Sequence, residues 1–167
     1  MTNTDDSASL FRVLFIDIKY QKDAEFVVTP SKKDEITIML DQDVSGIGGF
    51  FSGEYQISVT REQAVELVRL MMDAFGISNE LDEREKWYDV GRTEYIWSDH
   101  GELLGARRSV QVLCRRGQIR VIISSDFNGI PNDYIATFGR ETGERFADAI
   151  SNCLFLLNRE VTPTQIS

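Results

Sequence analysis

A chain of 167 residues with 42% hydrophobic residues can bury one compact core, which excludes global disorder. Its formal net charge of −9 opposes nucleic-acid binding by overall attraction, so any such function has to sit on a local patch. No apolar run reaches the roughly eighteen residues that a membrane-spanning helix needs, and no membrane partner is expected. The polar, acidic start, Met1 to Ser9, lacks the basic and apolar regions of a secretory signal and the arginines of a transit peptide. The expected location is the cytoplasm, or a host cytoplasm for a viral protein. Cys114 and Cys153 are the only cysteines and are expected as buried, reduced thiols.

In chain order, Leu10–Ile18 is apolar and β-branched and predicts a first strand. After a polar turn at 19–23, Glu25–Thr29 predicts a second, stopped by Pro30. Glu35–Leu40 alternates, with Ile36, Ile38 and Leu40 on one face, and Glu54–Val59 does the same with Tyr55, Ile57 and Val59. Thr60-Arg-Glu-Gln63 is a capping box, so a helix should start there and run to about Phe75, with Gly76 closing it. It carries Val65, Val68, Met72 and Phe75 on one face and Leu67, Leu70, Met71 and Ala74 elsewhere. Residues 77–92 read as an acidic linker in which Trp87 and Tyr88, out of place in a core, are expected to meet a partner. Thr93–Ser98 predicts a fifth strand, Arg108–Arg115 and Gln118–Ser125 a hairpin around Arg116-Gly117, and Asp133–Phe138 an eighth strand. Glu141 to about Asn158 predicts a second helix, with Phe146, Ala149, Ile150, Cys153, Leu154 and Leu157 in one stripe. The tail from Val161 to Ser167 reads as loose.

The two halves echo each other. Ile36 to Ile47 is matched by Ile119 to Ile130, and Glu54 to Glu62 by Asp133 to Glu141, each leading into an apolar helix. The expected fold class is α+β: a tandem ββββα repeat, with two antiparallel four-stranded sheets bridged by two helices. Residues 1–167 then form a single domain of a first unit at 10–76, a linker at 77–92 and a second unit at 93–158. Both helices are apolar on more than one side, so they either bury each other or serve a subunit interface, and a homo-oligomer is expected.

The charge is unevenly spread. The segment from Leu103 to Ile123 holds five arginines and no acid. If Val110, Val112 and Cys114 face inward, then Arg107, Ser109, Gln111, Leu113 and Arg115 face outward. On the next strand Gln118, Arg120, Ile122 and Ser124 lie beside them. Guanidinium planes bind phosphates and stack on bases, so Arg107, Gln111, Arg115, Gln118 and Arg120 are candidate nucleic-acid contacts. The bland alternative is a solvated strand face paired with carboxylates. Tyr95 and Trp97 share one face of the fifth strand, as a stacking platform if exposed and as core if buried. Lys32 and Lys33, like Lys19 and Lys22, lie in turns and either extend the patch or aid solubility.

Other chemistry is poorly provided for. His100 is the only histidine, which rules out the usual zinc ligand sets and leaves a Ser-His-Asp arrangement a single histidine to draw on. Gly46-Ile-Gly-Gly49 lies between strands rather than before a helix, so it is not a phosphate loop. Asp43 and Asp126 are expected to open turns. No cofactor, metal or catalytic residue is expected, and the chain is read as a non-enzyme.

The repeated ββββα plan, Arg107-Arg-Ser-Val-Gln-Val112, and Asn132-Asp-Tyr-Ile135 leading to a helix bearing Phe146 resemble the Whirly family of single-stranded DNA-binding proteins. Its superfamily includes kinetoplastid guide-RNA-binding proteins, transcriptional coactivator positive cofactor four and, more distantly, Pur-alpha repeats. The plant members' Lys-Gly-Lys-Ala-Ala-Leu strand has no match in Ser9-Leu-Phe-Arg-Val-Leu-Phe15, so no family binding residue carries over by motif. The resemblance implies sheets that hold single-stranded DNA or RNA with little sequence preference, and assembly into dimers or tetramers. The rival reading is an acidic protein-binding module, an inhibitor or phage accessory protein, on the same scaffold.

Overall fold

The structure, a computed structural model, describes residues 11–31, 34–42, 54–81, 86–96, 107–127 and 130–166. Side chains are described for all of these except 54–55, 94–96, 107–108, 125–127, 130–132 and 158–166. The elements run β1 (Phe11–Asp17), β2 (Lys22–Pro30), β3 (Glu35–Asp41), β4 (Glu54–Thr60), α1 (Arg61–Glu80), β5 (Tyr88–Ile96), β6 (Arg107–Arg115), β7 (Gln118–Phe127), β8 (Ile130–Phe138) and α2 (Arg140–Ile166). They form two four-stranded antiparallel sheets, β1-β2-β3-β4 and β5-β6-β7-β8, each followed by a helix. This is the tandem ββββα fold.

The echoed segments occupy corresponding strands. In the first sheet Ile38 lies between Val28 and Ile57; in the second, Val121 lies between Val112 and Ala136. All six are buried, because period-two alternation sends every second side chain to the helix-covered face. The capping box forms as the sequence demands. The Thr60 hydroxyl accepts from the Gln63 amide at 3.2 Å, and the Gln63 carboxamide oxygen accepts from the Thr60 amide at 3.0 Å.

Each helix packs on the other repeat's sheet. From the first repeat, α1 lies mainly against β5 and β6, and from the second, α2 lies mainly against β1 and β2. The Phe146 ring of α2 stacks on Phe26 of β2 at 3.9 Å, and Phe138 of β8 meets Phe26 and Phe15 edge-on at 5.9 and 5.6 Å. These rings tie both sheets and α2 into one hydrophobic cluster, which also takes in α1 through Leu67, Met71 and Phe75.

Several boundaries differ from the sequence reading. Gly76 does not close α1; the helix runs four residues further, to Glu80. Its last turn is held by tertiary contacts of Ile77, Ser78 and Leu81, which outweigh the roughly 1 kcal/mol cost of an internal glycine. The linker is correspondingly shorter, since β5 begins at Tyr88 rather than Thr93. The buried face of α1 holds Ala64, Leu67, Leu70, Met71, Ala74, Phe75 and Ser78, while Val65 and Met72 are exposed. Asp126 does not open a turn but continues β7 opposite Pro131, and Asp43 lies outside the described residues. The backbone of α2 continues through the tail to Ile166.

Candidate nucleic-acid interface

The hairpin of β6 and β7 turns at Arg116-Gly117, where Gly117 has φ 77°, a left-handed conformation that suits glycine. The turn is clamped by α1. The Ser78 hydroxyl donates to the Arg115 carbonyl at 2.8 Å and accepts from the Gly117 amide at 2.9 Å. The helical extension past Gly76 is what brings Ser78 to the arginine-bearing turn.

The hairpin alternates as its sequence requires. Val110, Val112, Cys114, Ile119, Val121 and Ile123 are buried against the helices. Gln111, Arg115, Gln118 and Arg120 lie half-buried on the opposite face, together with Leu113, Ile122 and Ser124; Ser109 on that face is buried. Arg115 and Arg120 share one end of it. The Arg115 Nε donates to Gln118 Oε1 at 2.9 Å, and the Arg120 Nε donates to Thr137 Oγ1 at 2.9 Å. Trp87, in the residues entering β5, packs its ring on both guanidiniums, with its centroid 4.5 Å from Arg115 Cζ and 4.0 Å from Arg120 Cζ. By contrast, Arg12, Arg61, Arg69 and Arg140 are paired with carboxylates.

The β1–β2 turn abuts this end of the sheet. β8 is an edge strand, and its Thr137 is 1% exposed because the first repeat seals it. The Thr137 amide donates to Asp17 Oδ2 at 3.2 Å, and its carbonyl accepts from the Ile18 amide at 2.9 Å. The Gln42 side chain donates to the Ile135 carbonyl at 2.7 Å. Asp17 also shapes its own turn, accepting from the Tyr20 amide at 3.0 Å. Burial and the like charge of Arg115 lower the Arg120 guanidinium pKa from its ordinary value, while the nearby Asp17 carboxylate opposes that shift.

Of the residues singled out from sequence, Gln111, Arg115, Gln118 and Arg120 therefore share one face. Arg107 lies in β6 opposite Ile96 and Asp126, and Tyr95 lies in β5 opposite Arg108; neither side chain is among those described. Trp97, Lys32 and Lys33 lie outside the described residues. Trp87 and Thr137 also belong to the site, although neither lies on the hairpin face that the alternation of β6 and β7 defines. For Trp87 the available signal was an aromatic in an acidic linker with no place in a core.

No protein-family model and no curated protein matches the chain. Among solved structures, that of Trypanosoma bruciei MRP1/MRP2 is similar, with a TM-score of 0.52, 6% sequence identity and coverage of 92% of each chain. At that identity the likeness is one of fold, extending along nearly the whole length of both chains.

Proposed function

We propose that this chain is a non-enzymatic, single-stranded nucleic-acid-binding protein that contacts DNA or RNA through the outer face of its second sheet. The observation that carries this reading is the Trp87 ring resting on the Arg115 and Arg120 guanidiniums. Two cations are held there in a molecule of net charge −9, with Gln118 and Thr137 orienting their planes. The guanidiniums offer donors to phosphates, and Trp87 offers a surface on which an unpaired base stacks. The low-identity fold match is compatible with this reading, as is the resemblance to single-strand binders seen in the sequence.

The test is fluorescence anisotropy with labelled oligo-dT, oligo-U and a matched duplex at low and moderate salt. Single strands should bind preferentially, and the affinity should fall steeply with salt. Arg115→Glu/Arg120→Glu should lose at least tenfold in affinity and flatten the salt slope by about two phosphate contacts. No single-strand binding by the parent chain at low salt would instead favour an acidic module that meets a basic protein. Self-association belongs to the same proposal. Val65, Met72 and Phe155 remain exposed on the helices, and sedimentation velocity should show species larger than the 19.0 kDa chain.

A further inference from the structure

The β1–β2 turn, Ile18 to Gln21, is fixed to the same end of the second sheet. The Ile18 amide donates to the Thr137 carbonyl, the Thr137 amide donates to the carboxylate of Asp17 just before the turn, and Gln21 adopts φ 57° to close it, its amide donating to the Asp17 carbonyl at 2.7 Å. Thr137 in turn accepts from Arg120, so the turn and the guanidinium are held by the same residue. The turn presents Tyr20, 45% exposed, with the Lys19 ammonium 5.3 Å from its ring centroid. A line crossing the strands thus passes from Trp87 to Arg115 on β6 and Arg120 on β7, and then past β8 to Tyr20 and Lys19. The two guanidiniums lie between Trp87 on one side and the turn bearing Tyr20 and Lys19 on the other.

We propose that the β1–β2 turn is a second base-stacking step of this site: Tyr20 takes an unpaired nucleobase, and Lys19 takes an adjoining phosphate. The inference rests on the nucleic-acid reading above and adds to it a contribution from the first repeat. An exposed cation–π contact such as Lys19 on Tyr20 is weaker than base–aromatic stacking, so a base displaces the ammonium, which then pairs with phosphate. The ligand is single-stranded, because a ring on a turn reaches the face of a base only when that face is not covered by its neighbours in a duplex.

Full-length Tyr20→Ala, Tyr20→Phe and Lys19→Glu are compared with the parent chain by anisotropy on labelled oligo-dT and a matched duplex, with thermal melting to check folding. Tyr20→Ala should weaken oligo-dT binding roughly 5- to 100-fold. Tyr20→Phe should bind like the parent, since the ring and not the hydroxyl makes the contact. Lys19→Glu should lower the salt slope by about one. The unmodified chain, irradiated with an iodouracil-substituted strand, should crosslink at Tyr20. Failure of the parent chain to bind any single strand overturns both readings. Binding that is lost in Arg115→Glu/Arg120→Glu but unchanged in Tyr20→Ala, or that gives no crosslink at Tyr20, overturns the role of the turn alone. Equal weakening of duplex and oligo-dT by Tyr20→Ala also overturns it.

Discussion

Gly76 lies inside α1 with nothing within 4 Å of where a β-carbon would stand, whereas Gly91 in β5 has φ 152° and Leu70 Cδ2 2.7 Å from that position. Opposite effects of the same substitution follow. Gly76→Ala should stabilise the fold by roughly 0.5–1 kcal/mol, because alanine loses less backbone entropy on entering a helix. Gly91→Ala should destabilise it by about 1–3 kcal/mol, through an unfavourable φ and a clash with a core leucine. Urea midpoints of the two variants check both signs. A third residue predicts a pH dependence. Burial raises the Cys114 thiol pKa above its ordinary 9.0. The folded chain keeps that proton at a pH where the unfolded chain releases it. The stabilisation is therefore complete below the unfolded value and declines as pH rises through it towards the folded one. The stability gap between the parent and Cys114→Ala should accordingly narrow from pH 8 to pH 10 in urea titrations.

At the level of elements, strand identity was legible because it depends on neighbours in the chain. Ile36, Ile38 and Leu40 alternate with Thr37 and Met39, and Thr60 stands three residues before Gln63. Both patterns specify local geometry without distant help. The end of α1 was misread because Gly76 is a local stop signal, while Ser78 finds its partners at Arg115 and Gly117, far along the chain. The same distance explains the partial reading of the site. Alternation alone placed Arg115 and Arg120 on an outer face with Gln118. The approach of Trp87 depends on the course of the chain between α1 and β5. That of Thr137 depends on β7 pairing with β8, which puts it opposite Arg120.

For the molecule as a whole, the crossed packing of helices on sheets has a direct consequence. A fragment 1–81 would hold the first sheet without α2, exposing Phe26, Val28 and Val13, and a fragment 86–167 would lack α1 over Val112 and Val121. Neither should fold alone; mixed, they should recover native-like circular dichroism and a cooperative melt. Two independently folding fragments would contradict a core that runs through both repeats. The proposed binding face has the same dependence, since the first repeat supplies the turn that seals β8 while the second supplies the arginines. The amino-acid order alone determined two like units, their strands, and the basic hairpin of an otherwise acidic chain, because periodicity, caps and turn residues act over a few positions. Only the tertiary structure decided that each helix crosses to the other sheet, that Trp87 rests on two guanidiniums, and that a turn of the first repeat borders them. Those contacts join residues distant in the chain, and their free energies exist only once the chain has folded back on itself.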